Sequence, residues 1–231
     1  MDQLCGDALT AAFDAGAPAY DRLVGANPGY HAHLRLSARR MGLPSGARVL
    51  DAGCGTGAST AALLAAAPDA EILAVDASER MLDRARAKPW PPSVRFRLAR
   101  VEELIGTGRF DAIFAAYLVR NLPDPDRVLG RFAELLRPGG TLAVHEYSVR
   151  DSLRARVVWD AVCWGIVVPL GGALSGRTAL YRHLWSSVRA FDGVDRFRRR
   201  LREAGFGTVR AATVTGWQRG IVHTFLAGVG G

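Results

Sequence analysis

The chain has 231 residues, 49% of them apolar and 23% charged, which excludes a disordered or fibrous polymer and fits one α/β domain with a sizeable core. Its net charge is +8 and Lys88 is the only lysine, so arginine carries the excess; a solvated basic face, an anionic membrane surface and nucleic acid are its readings, in that order. Cys5, Cys54 and Cys163 are odd in number and lack metal-ligand spacing, which excludes a disulfide scaffold and, with an N-terminus unlike a signal peptide, implies free thiols and a cytoplasmic location.

Residues 8–42 are helical in pattern, with breaks expected at Pro18 and Pro28. Tyr20 and Tyr30 precede the next motif at a distance that lets this segment cap a site. His31 and His33 read as surface or capping residues. Val49 and Leu50 end a short buried strand, Asp51 follows, and Gly53, Gly55 and Gly57 come before a helix starting at Ala58. Strand, glycine turn and helix open a doubly wound, Rossmann-like sheet, which binds nucleotide-like ligands at the carboxyl ends of its strands. Bare backbone there admits a ligand that a side chain would block. Gly53-x-Gly55-x-x-Ala58 also satisfies the dinucleotide fingerprint. Asp51 weighs against it, because a carboxylate repels a pyrophosphate and suits a ligand with a cationic amino-acid end.

Residues 71–76 form the second strand and end in Asp76, placed to accept two hydrogen bonds from a ribose diol. An N-cap for the helix of residues 79–87 is the alternative reading of Asp76, and Ser78 also offers a cap there. Residues 94–99 alternate apolar and basic and read as an edge strand. Residues 110–117 are apolar on both faces and read as a central strand. A helix over 126–136, a tight turn at 137–140 and a strand over 141–146 follow. Residues 153–164 are helical, and the apolar run continues to Leu174. Asp160, Pro169 and two glycines are expected to break it, leaving it short of a span of ~20 apolar residues; it reads as a lid helix or a lipid-facing flap. Two more helices, 181–188 and the arginine-rich 194–204, precede a closing hairpin of 208–214 and 221–227.

Asp-x-Gly-x-Gly-x-Gly after a strand resembles the cofactor loop of class I S-adenosylmethionine-dependent methyltransferases. Asp76-x-Ser-x-x-Met81-Leu82, Val119-Arg-Asn-Leu, Arg137-Pro-Gly-Gly, Glu146-Tyr-Ser and Tyr181-x-x-Leu-x-x-Ser-Val fall in the order of the ubiquinone/menaquinone biosynthesis C-methyltransferase family, over residues 19–228. The resemblance implies a single domain over 1–231: a seven-stranded sheet with a reversed terminal strand, a helical cap at 8–42 and a helical lid insertion at 151–190. It implies S-adenosylmethionine as cofactor, held by Asp51, Gly53, Gly55, Gly57, Asp76, Ala77, Met81, Val101, Glu102 and Tyr117. Arg100 stands where the family has an acid facing the adenine, so adenine recognition passes to the Val101 backbone or to Glu102.

Methyl transfer to a ring carbon needs alignment, exclusion of water, and a group that stabilises a phenolate. Arg120 fits the last need, since arginine stays charged in any setting. Asn121 would orient a hydroxyl or the loop backbone. Tyr117, His145, Tyr181, His183 and His223 are base or hydrogen-bond candidates, and no metal constellation is expected. The expected substrate is a phenolic or prenylated quinol-like small molecule, with peripheral membrane contact and a homodimer as open options and no nucleic acid. O- or N-methylation of a specialised metabolite, or a non-catalytic binding or cyclisation scaffold, are the alternatives.

Overall fold

The structure is a computed structural model that describes residues 4, 6–104, 109–175 and 178–230; Cys5 lies outside them. Its frame is a seven-stranded sheet of order β3-β2-β1-β4-β5-β7-β6. The strands are β1 Arg48–Ala52, β2 Glu71–Asp76, β3 Val94–Leu98, β4 Phe110–Ala116, β5 Leu136–Tyr147, β6 Thr208–Thr213 and β7 Val222–Gly228. The first five run parallel, and β7 lies antiparallel between β5 and β6. β3 is at the edge and β4 in the middle, as their residue patterns require. The expected turn at 137–140 is instead an irregularity inside β5, where the register with β4 jumps from Phe110↔Leu136 to Ala112↔Thr141.

Alternation along the strands gives the sheet two apolar faces. Leu50 and Ile113 point into one cluster with Phe132, Phe197 and Phe225. Val49 and Phe114 point into the other with Leu34, Leu63 and Ile72. The helices covering these faces include α2 Tyr30–Arg40, α3 Ala58–Ala66, α4 Glu79–Arg86, α5 Pro125–Leu135 and α9 Val194–Glu203. Ser78 caps α4 by accepting from the Met81 N–H, and Asp124 caps α5 by accepting from the Arg127 N–H, with Pro125 in the first turn where its missing N–H costs nothing.

Helix α1, Gly6–Gly25, runs unbroken through Pro18, contrary to the break expected there; α1 and α2 separate at Pro28 as expected. The cost of Pro18 is offset by side-chain ties from α1 to the glycine loop and α4. Asp14 accepts from the Ser78 hydroxyl and the Arg80 N–H. Asp21 accepts from Thr56 Oγ1 at 2.6 Å and pairs with Lys88. Arg84 donates to the Ala17 and Pro18 carbonyls at 2.7 and 2.9 Å.

The apolar run after β5 also stays intact. Helix α6 Leu153–Val162, a π-helical turn Cys163–Val167 and α7 Val168–Ser175 join end to end. The π turn lies just before Pro169, where the backbone must adjust to a missing donor. Asp160 does not interrupt the helix, because Trp185 Nε1 donates to its carboxylate at 2.8 Å and Arg189 pairs with it. The 22 residues Leu153–Leu174, with mean hydropathy 1.7 in their most apolar window, are long and apolar enough to cross a bilayer by those two measures. This corrects the expectation that the run is too short. Helix α8, Ala179–Ala190, folds back against it.

Candidate active site

The carboxyl ends of the parallel strands open into a cavity of about 780 Å³, large for a small-molecule site. Its walls come from α1, the turn into α2 with Tyr30, the loops after β1 to β3, the ends of β4 and β5, the α6–α7 helix, α8, and Trp217 between β6 and β7.

The glycine loop behaves as two kinds of residue. Gly53 and Gly55 line the cavity, at φ values of +72° and +54°. A Cβ added at Gly55 would meet no protein atom within 4 Å, so the space beside it belongs to the cavity. Gly57 is different. It does not line the cavity, and a Cβ there would come within 2.8 Å of the Trp90 ring. Its expected cofactor contact is corrected: it serves close packing and the left-handed turn into α3 (φ +89°).

Asp51 is corrected too. It is fully buried beneath the loop, and Ser59 Oγ and Thr60 Oγ1 donate to its Oδ2 at 2.8 and 2.6 Å. Its Oδ1 has no partner. Burial raises its pKa to about 7 against the lowering effect of the two hydroxyls. The side chain shapes the loop from behind and does not wall the cavity.

Asp76 does line the cavity. Its Oδ2 accepts from the Gly55 N–H at 2.8 Å and its Oδ1 from the Ser78 N–H at 2.9 Å. Each oxygen keeps a lone pair for a diol. Burial raises its pKa, partly offset by those backbone donors. Ala77, Met81, Val101 and Glu102 join the same wall. Arg100 is there as well, its guanidinium paired with Asp7 of α1. A cradle of bare backbone at Gly55, an aspartate with two spare lone pairs and an apolar shelf of Met81 and Val101 fit an adenosyl group.

The ends of β4 and β5 hold the polar centre. Arg120 Nη1 donates to Glu146 Oε1 at 2.7 Å and to the Tyr117 carbonyl at 2.8 Å. The side chains of this pair are 6% and 0% exposed. Arg120 therefore does not meet a ligand as a lone cation, as the sequence suggested; among the described residues its Nη2 is the terminal nitrogen with no partner. Asn121 Nδ2 also donates to the Tyr117 carbonyl, at 3.1 Å. That fixes Asn121 Oδ1 toward His183 Nε2, 3.0 Å away, so Nε2 carries the hydrogen and Nδ1 is bare. Nδ1 has no protein partner. Burial, and then the Arg120 charge, lower the His183 pKa to about 4, which keeps the ring neutral near pH 7. Tyr117, Arg120, Asn121 and His183 are thus brought together on one cavity wall.

Tyr117 holds a left-handed conformation at φ +56°, the one non-glycine residue among those described with positive φ. Strain of that kind in a bulky residue marks a site the surrounding fold over-determines. Its ring is in a row of aromatics. Tyr30 stacks on it at 5.5 Å between centroids, Tyr147 stacks at 4.8 Å, and Trp159 follows Tyr147 at 4.7 Å. Tyr30, Tyr147 and Trp159 line the cavity; Tyr30 was expected in the cap over the site, whereas Tyr147 and Trp159 were missed as site residues, and they come from α2, β5 and α6 with no local motif linking them. Of the other candidates, Tyr181 lines the cavity, whereas His145 and His223 do not. His33, expected as a surface or capping residue, is buried and bonded to Gln218 at 2.9 Å; His31 is exposed.

The chain is similar to known proteins. Residues 26–227 match the model of the ubiE/COQ5 methyltransferase family. The ubiquinone/menaquinone biosynthesis C-methyltransferase of Syntrophotalea carbinolica is 34% identical over 88% of this chain and 88% of its own length. The demethylmenaquinone methyltransferase of Thermus thermophilus is 32% identical, over 84% of this chain and 90% of its own. Among solved structures, an S-adenosylmethionine-dependent methyltransferase of Thermotoga maritima superposes with a TM-score of 0.65 at 20% identity, covering 95% of this chain and 99% of that one.

Proposed function

The chain belongs to the ubiE/COQ5 methyltransferase family, and from that premise we propose that it methylates a ring carbon of a phenolic or quinol-like small molecule with an apolar tail. As an enzyme of this family it uses S-adenosylmethionine, which supplies an electrophilic methyl group when bound. Gly53, Gly55, Asp76, Ala77, Met81, Val101 and Glu102 would hold that cofactor.

The observation that carries the substrate reading is the wall of Tyr117, Tyr147 and Trp159 beside Arg120 and His183. Flat rings favour an aromatic ligand. Arg120 stabilises negative charge growing on the ring oxygen through its unmet Nη2, while Glu146 holds the guanidinium in place. With Asn121 fixing its tautomer, His183 becomes the acceptor for the ring hydroxyl's proton once ligand binding uncovers its Nδ1, which is buried and unpartnered in the ligand-free chain. An ionised ring oxygen makes the ring carbon nucleophilic. The ring carbon would take up the methyl as the methyl's bond to sulfur breaks, leaving the thioether; the ring carbon's own proton would then pass to solvent while His183 returns its proton to the ring oxygen, restoring aromaticity.

Val158, Val162, Ile166, Leu170 and Leu184 extend the cavity with apolar surface suited to a tail. The opposite side of the same helix exposes Leu153, Val157 and Trp164. With the basic charge of the chain, this supports a lid that rests on an anionic membrane surface, where such a substrate would be dissolved. The test is turnover of demethylated quinols with methyl-labelled cofactor. Label on a ring carbon supports the reading; label on oxygen or nitrogen alone, or binding without turnover, overturns it.

A further inference from the structure

A chain of buried hydrogen bonds leads away from the cavity and is not used above. Tyr117 Oη lies 3.0 Å from His145 Nε2. His145 Nδ1 lies 2.6 Å from Ser37 Oγ, and Ser37 Oγ lies 2.6 Å from Thr224 Oγ1. Arg40 Nη1 donates to Thr224 Oγ1 at 2.9 Å. The guanidinium is held by the Ala212 and Thr213 carbonyls at 3.2 and 2.8 Å. Ser37, His145 and Thr224 are 0%, 0% and 1% exposed, so water does not satisfy them.

The direction of this chain follows from counting hydrogens. Arginine can only donate, so Thr224 must accept at that end. Among the described residues Thr224 Oγ1 has two partners, Arg40 and Ser37. Were Ser37 to donate to Thr224, the Thr224 hydrogen would be stranded in the interior, which costs the desolvation of an unmet donor. Thr224 therefore donates to Ser37. Ser37 donates to His145 Nδ1, and His145 Nε2–H donates to the Tyr117 oxygen. The Tyr117 hydrogen is then the one left over, on a residue that lines the cavity.

We infer that Arg40, which does not touch the cavity, is a positioning residue that holds Tyr117 as a hydrogen-bond donor toward an oxygen of the substrate. With the opposite polarity Tyr117 would spend its hydrogen on His145 and offer the cavity only a lone pair. A fixed donor and a cation on one wall, Tyr117 and Arg120, select a ligand with oxygen acceptors over an amine or a bare hydrocarbon. The identity of that oxygen rests on the quinol reading; the polarity of the chain does not.

The test is the nitrogen-15 spectrum of the His145 ring in the ligand-free full chain at neutral pH. The expected result is a protonated Nε2 and a bare Nδ1. Arg40→Lys, which keeps one donor, retains that pattern, and Arg40→Met brings in the Nδ1-protonated form. In turnover of a quinol, Tyr117→Phe and Arg40→Met each lower kcat/KM roughly three- to tenfold, the scale of one hydrogen bond, and the double variant is no worse than either. A protonated Nδ1 in the unaltered chain overturns the inference without any variant having to fold. So does an Arg40→Met ring unchanged in tautomer, or losses that multiply in the double variant. If no quinol turns over, the spectra still decide the polarity, so the two readings fail separately.

Discussion

Arg120 and Glu146 form an ion pair at 2.7 Å with both side chains withdrawn from solvent, at the junction of the β4 and β5 ends where the candidate active site is built. Burying two charges is costly, and the pair survives because each end is also hydrogen-bonded to backbone: Arg120 to the Tyr117 carbonyl and Glu146 to the Tyr147 N–H. Removing one partner strands the other. Glu146→Ala is expected to lose roughly 3–5 kcal/mol of stability, with Glu146→Gln losing less; urea unfolding of the two variants measures the difference.

Asp51 gives the protein a pH dependence of unusual sign. Its pKa is about 7 in the fold, above the ~3.9 of an unfolded chain. The folded state then binds the extra proton, so this contribution is full below pH 4 and is lost as pH rises through 7. From pH 5 to pH 8 it should remove roughly 2–3 kcal/mol. Asp51→Asn, which keeps an acceptor for Ser59 and Thr60, should abolish that slope. Unfolding curves of both proteins at the two pH values provide the comparison, and equal slopes would contradict the assignment.

His183 titrates in the other direction. Its pKa is lowered to about 4, below the ~6.5 of a free imidazole. Its stabilising contribution is present above pH 6.5 and falls away as pH drops through 4. The same shift places the acid limb of kcat/KM nearer pH 4 than pH 6.5, if His183 must be neutral to accept a proton. His183→Ala should cost roughly 10²–10⁴-fold in turnover with cofactor affinity retained. A profile that breaks at pH 6.5 in the unaltered enzyme would speak against this role.

Asp76 and Gly55 are the residues proposed to set cofactor affinity. Asp76→Ala should weaken S-adenosylmethionine binding by about 1.5–3 kcal/mol, the value of charged hydrogen bonds, seen by isothermal titration. Gly55→Ala adds a methyl group into the cavity at φ +54° and should weaken binding as well. Gly57→Ala, by contrast, should be read in stability through Trp90, with affinity changed only as the loop shifts.

The outer side of the α6–α7 helix offers a surface test. Leu153 and Val157 are 69% and 57% exposed and do not line the cavity, so changing both to Glu should alter stability by no more than about 0.5 kcal/mol each. If this helix rests on lipid, the double variant should lose flotation with vesicles containing phosphatidylglycerol while still methylating a short-tailed, water-soluble quinol. Equal flotation of the two proteins would rule the contact out.

Much of this was legible in the residues in order. Apolar runs of strand length, the glycine turn after Leu50 and the Ser78 cap placed β1, β2, α3 and α4, because hydrophobic period and capping are local properties. The same locality put Asp76 at the end of β2, where it lines the cavity. Tertiary structure decided the rest. Asp51 and Gly57 belong to the same motif as Gly55, yet one lies under the loop and the other against Trp90, since which side of a turn meets the cavity depends on what packs behind it. The aromatic wall joins Tyr30, Tyr117, Tyr147 and Trp159, and the buried chain joins Ser37 to residues 108 and 187 positions away. Separations of that size leave no periodic trace in a sequence. A hydrogen bond or a ring stack acts over a few ångströms, so only the folded arrangement of strands and helices could determine which of these side chains meet.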